Sequence, residues 1–149
     1  LKITDIQAAC GLSQLRRIDQ FIEKRRRNFT YLSEQLETLA EFLLLPKPTN
    51  NSNPSWFGFP ITLKSSAGTS RRDFLEYLDQ NQIGTRLVFA GNITKQPYFK
   101  NIEYRMAGSL ENTDIVMNQT FWIGVYPGLT IEMLDYVVET MESYFGIGF

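Results

Sequence analysis

The sequence of 149 residues predicts a single α+β domain, in which a three-stranded, mostly antiparallel sheet is covered on one face by helices. Two observations predict this class. Apolar residues recur at helical spacing in the first third of the chain and again near its end, and three short segments between them have strand-like patterns. The resulting order is helix, helix, strand, helix, strand, long loop, strand and helix. The length suits one domain with its own hydrophobic core.

The first element is predicted to be a helix that begins at about Asp5. Residues 4–7 form a capping box, in which the Thr4 hydroxyl accepts a backbone N–H and the Gln7 side chain bonds back. The apolar residues that follow at helical spacing run too far for one straight surface helix in a small domain. We therefore expect a short helix, a bend near residues 16–19, and then a long helix. The apolar positions are Leu15, Ile18, Ile22, Phe29, Leu32, Leu36 and Leu39.

The middle of the chain is predicted to form a loop, a strand and a helix. Prolines and polar residues over 46–54 indicate the loop. Residues 57–63 alternate as in a strand, and Pro60 predicts that the strand is at an edge of the sheet at that point, because proline has no N–H to donate. Ser70 is expected to cap the helix that carries Phe74, Leu75 and Leu78.

The last third is predicted to contain two strands separated by a long loop. The strands are residues 83–89 and 121–126, and residues 90–119 between them have only short, interrupted patterns. A loop of that length in a compact domain is usually functional or covered by a neighbour. Thr130 is expected to cap a closing helix, whose inward residues are Leu134, Val137, Val138 and Met141.

The composition excludes several classes of chemistry. Histidine is absent, which removes the commonest general base and the commonest metal ligand, so no catalytic residue and no metal site are predicted. The one cysteine, Cys10, is expected to be a small buried residue of the first helix. A net charge of −1 gives no reason to expect nucleic acid as a partner, no apolar run is long enough to span a membrane, and a cytoplasmic location follows by default.

A basic run, residues 24–27, is predicted to lie on a solvated helix face. Asp19 and Glu23 precede it, so ion pairs along the helix are the expected role of its charges.

Two segments are candidates for ligand binding. Arg86 lies on a strand that leads into Ala-Gly-Asn at 90–92, where a fixed guanidinium and an open glycine backbone could meet an anion. The alternative is that Arg86 faces solvent and Gly91-Asn92 makes an ordinary turn. Trp56 and Phe57 could stack on a flat ring, although the strand pattern places Phe57 in the core and leaves Trp56 the freer of the two.

Several segments, in the same order and over nearly the whole chain, resemble the DegT/StrS sugar aminotransferase family. Leu-Lys-Ile-Thr-Asp-Ile-Gln-Ala-Ala at 1–9 is similar to the family segment that follows the large cofactor domain and opens the C-terminal part. The other segments are similar to the CDP-4-keto-6-deoxyglucose 3-dehydrase branch, often labelled lipopolysaccharide biosynthesis protein. They are Ser-Trp-Phe-Gly-Phe-Pro at 55–60, Gly-Thr-Arg at 84–86, Phe-Ala-Gly-Asn at 89–92, Gln-Pro-Tyr at 96–98, and Thr-Phe-Trp-Ile-Gly-Val-Tyr-Pro-Gly-Leu at 120–129.

The resemblance implies the fold of an aspartate-aminotransferase-like enzyme (fold type I PLP), of which residues 1–149 are the small C-terminal domain. It implies a homodimer that acts on a CDP-sugar. The 3-dehydrase branch uses pyridoxamine phosphate (PMP) with a histidine base, and an iron–sulfur cluster that relays electrons from a reductase partner. This chain has no histidine and one cysteine, so we expect the large domain to be missing upstream, and the fragment alone to bind no cofactor and be inactive.

The resemblance also implies site residues and leaves alternatives. Arg86, Asn92, Trp56 and Phe57 are expected on the substrate side, and Lys2 and Thr4 near the cofactor. An ordinary sugar aminotransferase is the closest alternative, which a lysine rather than a histidine upstream would decide. A free-standing module that binds a small ligand or another protein is the alternative from a different class.

Overall fold

The computed structural model describes residues 2–147, which form five α-helices and four strands. The helices are α1 (Asp5–Leu15), α2 (Ile18–Gln35), α3 (Arg71–Gln80), α4 (Glu111–Gln119) and α5 (Ile131–Phe145). The strands are β1 (Leu43–Leu44), β2 (Gly58–Leu63), β3 (Thr85–Leu87) and β4 (Thr120–Gly124). Short 3₁₀ helices occupy Leu36–Leu39, Ser65–Ala67, Ile93–Lys95 and Pro97–Asn101. Within this part of the chain, no helix is both long enough and apolar enough to cross a bilayer.

The sheet has four strands in the order β1-β2-β4-β3, and every pairing is antiparallel. The predicted count of three strands is therefore wrong by one. The missed strand, β1, is only two residues long and has no room for a detectable alternation. The prediction for Pro60 is confirmed. β1 pairs only with Thr62 and Leu63, so at Pro60 the strand β2 has a neighbour on one side only, which is β4.

One face of the sheet carries the hydrophobic core. Every second residue of β2 is buried, and the partners of these residues on β4 are buried with them. Helices α2, α3 and α5 cover this face and contribute to the same apolar cluster, as the sequence predicts. The largest fully buried side chains of the cluster are Phe59, Phe74 and Phe121.

The first two helices confirm the predicted start and bend. Thr4 caps α1 in a capping box with Gln7, and the break between α1 and α2 falls at residues 16–17. No residue of α1 is buried, however, so the expectation of a buried Cys10 is wrong and its side chain is exposed. Only the second half of α2 reaches the core of this domain, where Phe29 and Leu32 are buried.

The long loop predicted over residues 90–119 is partly wrong, because its last third is the helix α4. Sequence patterns did not indicate α4 for two reasons. Its N-cap residue, Leu110, makes no side-chain hydrogen bond, and none of its residues is buried, so the helix has neither a capping signal nor an apolar stripe.

Candidate functional site

The outer face of the sheet, opposite the core, brings the predicted Arg86 beside an aromatic cluster. Pro60, Trp122 and Arg86 are direct partners on neighbouring strands. Because side chains alternate between the two faces and cross-strand partners share a face, these three lie in one row on the outer face. Arg86 is exposed, and its Nη1 donates a hydrogen bond to the Thr85 carbonyl at 2.9 Å. Among the described residues, the Arg86 guanidinium forms no other hydrogen bond.

Trp122 is fixed in the centre of this row. Its Nε1 donates to the Leu87 carbonyl at 3.2 Å, which ties the indole to β3. On the other side, the ring lies over Gly58, where an added Cβ would come within 2.4 Å of the Trp122 Cε3 atom. The glycine thus provides the space for the indole. Sequence reasoning did not select Trp122, although its alternation with the buried Phe121 and Ile123 places it on the outer face.

Phe57 and Trp56 have exchanged the positions that the sequence predicted for them. Phe57 is 69% exposed and packs at 5.0 Å, centroid to centroid, on Trp122. Trp56 is half-buried, with its ring stacked on Phe29 at 3.7 Å. The prediction is wrong because β2 begins at Gly58, so its alternation does not extend back to these residues. Phe57 is therefore the exposed aromatic surface, while the Trp56 ring packs on the core residue Phe29.

Two residues of the basic run, Arg25 and Arg26, hold the loop that precedes β2 rather than forming ion pairs on a solvated face. Nη1 of Arg25 donates to the Trp56 carbonyl at 2.8 Å, and Nε of Arg26 donates to the Pro54 carbonyl at 3.1 Å. Among the described residues, none of the salt bridges involves this run. The prediction of ion pairs is therefore wrong. The arginines act through backbone carbonyls about 30 residues away and so fix the position of Phe57.

The turn after β3 presents a second exposed aromatic side chain. Phe89 is 86% exposed, and its backbone is left-handed, with φ of 44°. Such a conformation is rare for a bulky residue. Gly91 also has a positive φ, of 62°, and an added Cβ there would come within 2.5 Å of the Met117 side chain. α4 therefore covers the side of Gly91 on which a Cβ would lie, and contact of its backbone with an anion stays a prediction.

Asn92 lies beneath this turn with its side-chain amide hydrogen-bonded inside the protein. It is 2% exposed, its Nδ2 donates to Asp114 at 2.7 Å, and its Oδ1 accepts from the backbone and hydroxyl of Thr94 at 3.1 and 2.7 Å. Lys95 forms a salt bridge with the second oxygen of Asp114 at 2.8 Å. The Lys95 ammonium and the Asn92 amide hold the pKa of the Asp114 carboxyl below its ordinary value.

These elements border a shallow cavity of about 210 Å³ on the outer face. Its lining is aromatic and apolar and includes Trp56, Phe57, Pro60, Val88, Phe89 and Trp122. A larger cavity of about 620 Å³ lies between α5 and β4, and none of the predicted site residues lines it. The structure therefore brings three of the four predicted substrate-side residues, Trp56, Phe57 and Arg86, to the small cavity or its border. It places the fourth, Asn92, under the adjoining turn.

The two residues predicted near a cofactor lie at the start of α1. The Thr4 hydroxyl and backbone N–H both bond to Gln7, which accounts for this residue as a helix cap. Lys2 is exposed. In residues 2–147, no three His, Cys, Asp or Glu side chains are grouped so that they could hold a metal ion. The arrangement on the outer face can bind a flat ring and an anion, and it contains no nucleophile with a base beside it.

The sequence is similar to a known protein family and to several of its members. Residues 1–142 match the family model described as the DegT/DnrJ/EryC1/StrS aminotransferase family. The lipopolysaccharide biosynthesis protein RfbH of Salmonella typhimurium is 59% identical over the whole chain, which covers 34% of that relative. The dTDP-4-dehydro-2,6-dideoxy-D-glucose 3-dehydratase of Saccharopolyspora spinosa is 51% identical over 97% of the chain and 31% of the relative.

A solved structure of a related enzyme has a similar fold over this part of its chain. The E. coli GDP-4-keto-6-deoxy-D-mannose-3-dehydratase with bound hydrated PLP superposes with a TM-score of 0.81 at 25% identity, over 90% of this chain and 34% of that one. The chain thus spans about a third of the length of the relatives that it matches.

Proposed function

The chain belongs to the DegT/DnrJ/EryC1/StrS aminotransferase family, and from this membership we propose that it is the C-terminal small domain of a sugar-nucleotide enzyme that uses PLP or PMP. More specifically, we propose a CDP-6-deoxy-4-hexulose 3-dehydrase of deoxysugar and lipopolysaccharide biosynthesis. The similarity over its full length to a lipopolysaccharide biosynthesis protein and to a sugar 3-dehydratase carries this proposal. The relatives' names specify dTDP and GDP sugars, so the choice of CDP rests on the resemblance of the motifs.

The chain's own residues do not fit a complete cofactor site. It has no histidine to serve as the base, and one cysteine cannot hold an iron–sulfur cluster that needs four ligands. We therefore assign no proton or electron transfer to this chain. In the proposed enzyme, PLP or PMP and the cluster are held by other parts of the protein, and Lys2 and Thr4 remain predicted neighbours of the cofactor.

The proposed role of this chain is to bind and orient the nucleotide sugar on its outer face. The Arg86 guanidinium is fixed on a strand, exposed, and planar, which suits a phosphate group. Phe57 and Trp122 offer ring surfaces beside it for a base or sugar. Trp56 and Asn92 are then supports: Trp56 packs on Phe29 of the core and lines the same small cavity, and Asn92 lies under the turn at residues 88–92.

The partners and location follow from the same membership. We propose a homodimer, a reductase partner and a cytoplasmic location for the full-length protein. Neither nucleic acid nor a membrane is among its proposed partners. An aminotransferase is the second candidate, since the family description itself names that activity.

The deciding experiment incubates the full-length protein that contains this chain with a CDP-4-keto-6-deoxy sugar, PMP, a reductase and NADH as the electron donor, and analyses the products by mass spectrometry. A 3-deoxy product supports the dehydrase, whereas an amino sugar formed with an amino donor identifies the aminotransferase. If neither product forms, the enzyme proposal is wrong, and the alternative of a module that binds a small ligand or another protein is favoured.

A pair of arginine variants tests the proposed site. Arg86→Ala is expected to raise KM for the nucleotide sugar roughly tenfold, because a charged hydrogen bond to phosphate is lost. Arg72→Ala is the matched control, since Arg72 is an exposed arginine that pairs with Glu76 on α3. Equal KM values for the two variants would show that Arg86 does not bind the nucleotide sugar.

A further inference from the structure

The turn at residues 88–92, here called the Phe89 turn, has a conformation that its own sequence does not favour. A non-glycine residue with positive φ is uncommon. Here the residue is Phe89, and its side chain is exposed. Strained backbone of this kind persists only where the surroundings fix it, and it concentrates at functional sites. The groups that fix the Phe89 turn are therefore of interest.

A single carboxylate on α4 holds the segment that follows the turn. One oxygen of Asp114 accepts from Asn92 Nδ2 at 2.7 Å, and the other pairs with Lys95 Nζ at 2.8 Å. Asn92 is in turn the cap of the 3₁₀ helix Ile93–Lys95, through its bond to the Thr94 backbone. Both ends of this short helix are thus attached to the same side chain.

Helix α4 is itself fixed against the rest of the domain. Nη1 of Arg71, on α3, donates to the carbonyls of Met117 and Thr120 at 2.6 and 3.0 Å. The Met117 side chain fills the space above Gly91. Asp114 therefore connects the Phe89 turn to a rigid part of the structure.

We propose that Asp114 is a positioning residue, which through Asn92 and Lys95 holds the Phe89 turn and the adjoining Arg86 in the geometry that binds substrate. This inference rests on the proposed function, because it deepens the account of the same site. The lowered pKa of Asp114 agrees with the geometry, since the charged form is the one that both partners stabilise.

Two substitutions separate the hydrogen bond from the charge. Asp114→Asn keeps an oxygen that accepts from Asn92 and loses the charge that pairs with Lys95. Asp114→Ala loses both, and it leaves the buried Asn92 amide without its acceptor. Glu111→Ala is the control, because Glu111 is an exposed acidic residue of the same helix that lies outside the proposed site.

The experiment measures KM and kcat of the full-length protein with its nucleotide sugar, together with hydrogen exchange of residues 88–95. For Asp114→Ala we expect KM to rise roughly tenfold with kcat within about twofold of the unmodified protein, which is the signature of binding lost equally from the ground state and the transition state. Exchange of the turn is expected to be faster. Asp114→Asn is expected to recover part of both effects, and Glu111→Ala is expected to match the unmodified protein.

Two results would overturn the inference. One is an unchanged KM in Asp114→Ala; the other is a parallel loss of kcat and of thermal stability, which would indicate a general structural role. If the unmodified protein turns over no nucleotide sugar, the proposed function fails on its own. The exchange result then decides the role of Asp114, and a turn that stays protected in Asp114→Ala refutes it.

Discussion

Replacing Gly58 by alanine tests the close fit between β2 and the indole of Trp122. The new Cβ would lie 2.4 Å from Trp122 Cε3 and 3.2 Å from the Ile123 carbonyl oxygen. The backbone oxygen belongs to the paired strand and cannot withdraw, so the indole has to move by about 1 Å to reach ordinary contact. Gly124 is the matched control, because it is the direct partner of Gly58 and an added Cβ there meets nothing within 4 Å.

The expected cost follows from two opposing terms. Overpacking of a well-packed site costs about 1–3 kcal/mol. Removing glycine from a strand offsets part of that, by about 0.5–1 kcal/mol. Gly58→Ala is therefore expected to lower the free energy of unfolding by about 1–2 kcal/mol, and Tm by roughly 2–8 °C for a protein of this size. Gly124→Ala has only the favourable term, so its Tm is expected to be unchanged or slightly higher.

The assay is thermal unfolding, together with fluorescence of Trp122. Because the chain has two tryptophans, a Trp56→Phe background leaves Trp122 as the single reporter. We expect its emission to shift in Gly58→Ala and to stay constant in Gly124→Ala. Equal Tm values and equal emission for the two glycine variants would refute the reasoning.

Two further predictions concern the core and the acid limit of the site. Phe59→Ala is expected to lower the free energy of unfolding, measured with denaturant, by about 3–5 kcal/mol because Phe59 is fully buried. Phe57→Ala is expected to lower it by about 1 kcal/mol or less because Phe57 is exposed. Equal changes would contradict the assignment of the two residues to opposite faces. Because the pKa of Asp114 is lowered in the folded state, its contribution is complete above about pH 4 and is lost as the pH falls through that lowered pKa. The Thr94 amide resonance, followed by NMR, is expected to move only in that acid range, and a midpoint above about pH 5 would contradict this.

The features that the sequence predicted correctly are those set by neighbouring residues. Three helices begin at a residue whose side chain accepts a hydrogen bond from the amide three residues later: Thr4, Ser70 and Thr130. The starts of α1, α3 and α5 could therefore be predicted from short local motifs. The bend between the first two helices and the outline of the core follow from spacing in the same way.

Several of the features that it predicted wrongly depend on distant partners. The carbonyls that Arg25 and Arg26 bind lie about 30 residues away in the chain, and no local pattern marks them. Phe57 and Trp56 were exchanged because the start of β2 is set by its pairing with β4 rather than by its own alternation. The hydrogen bond between Asn92 and Asp114, which the sequence did not indicate, likewise depends on a fold that brings α4 against a turn about 20 residues earlier.

The first helix raises a different question, that of folding cooperativity. α1 has 11 residues, which is short of the roughly 12–15 at which an isolated helix becomes stable in water, and it buries nothing in this domain. Its apolar residues Ile6, Leu12 and Leu15 do not form a single stripe, so no one surface could cover them all. α1 therefore adds no buried side chain to the core, whose stability rests on the other elements. Amide exchange in this helix is expected to report its local opening, independent of the stability of the core beside it.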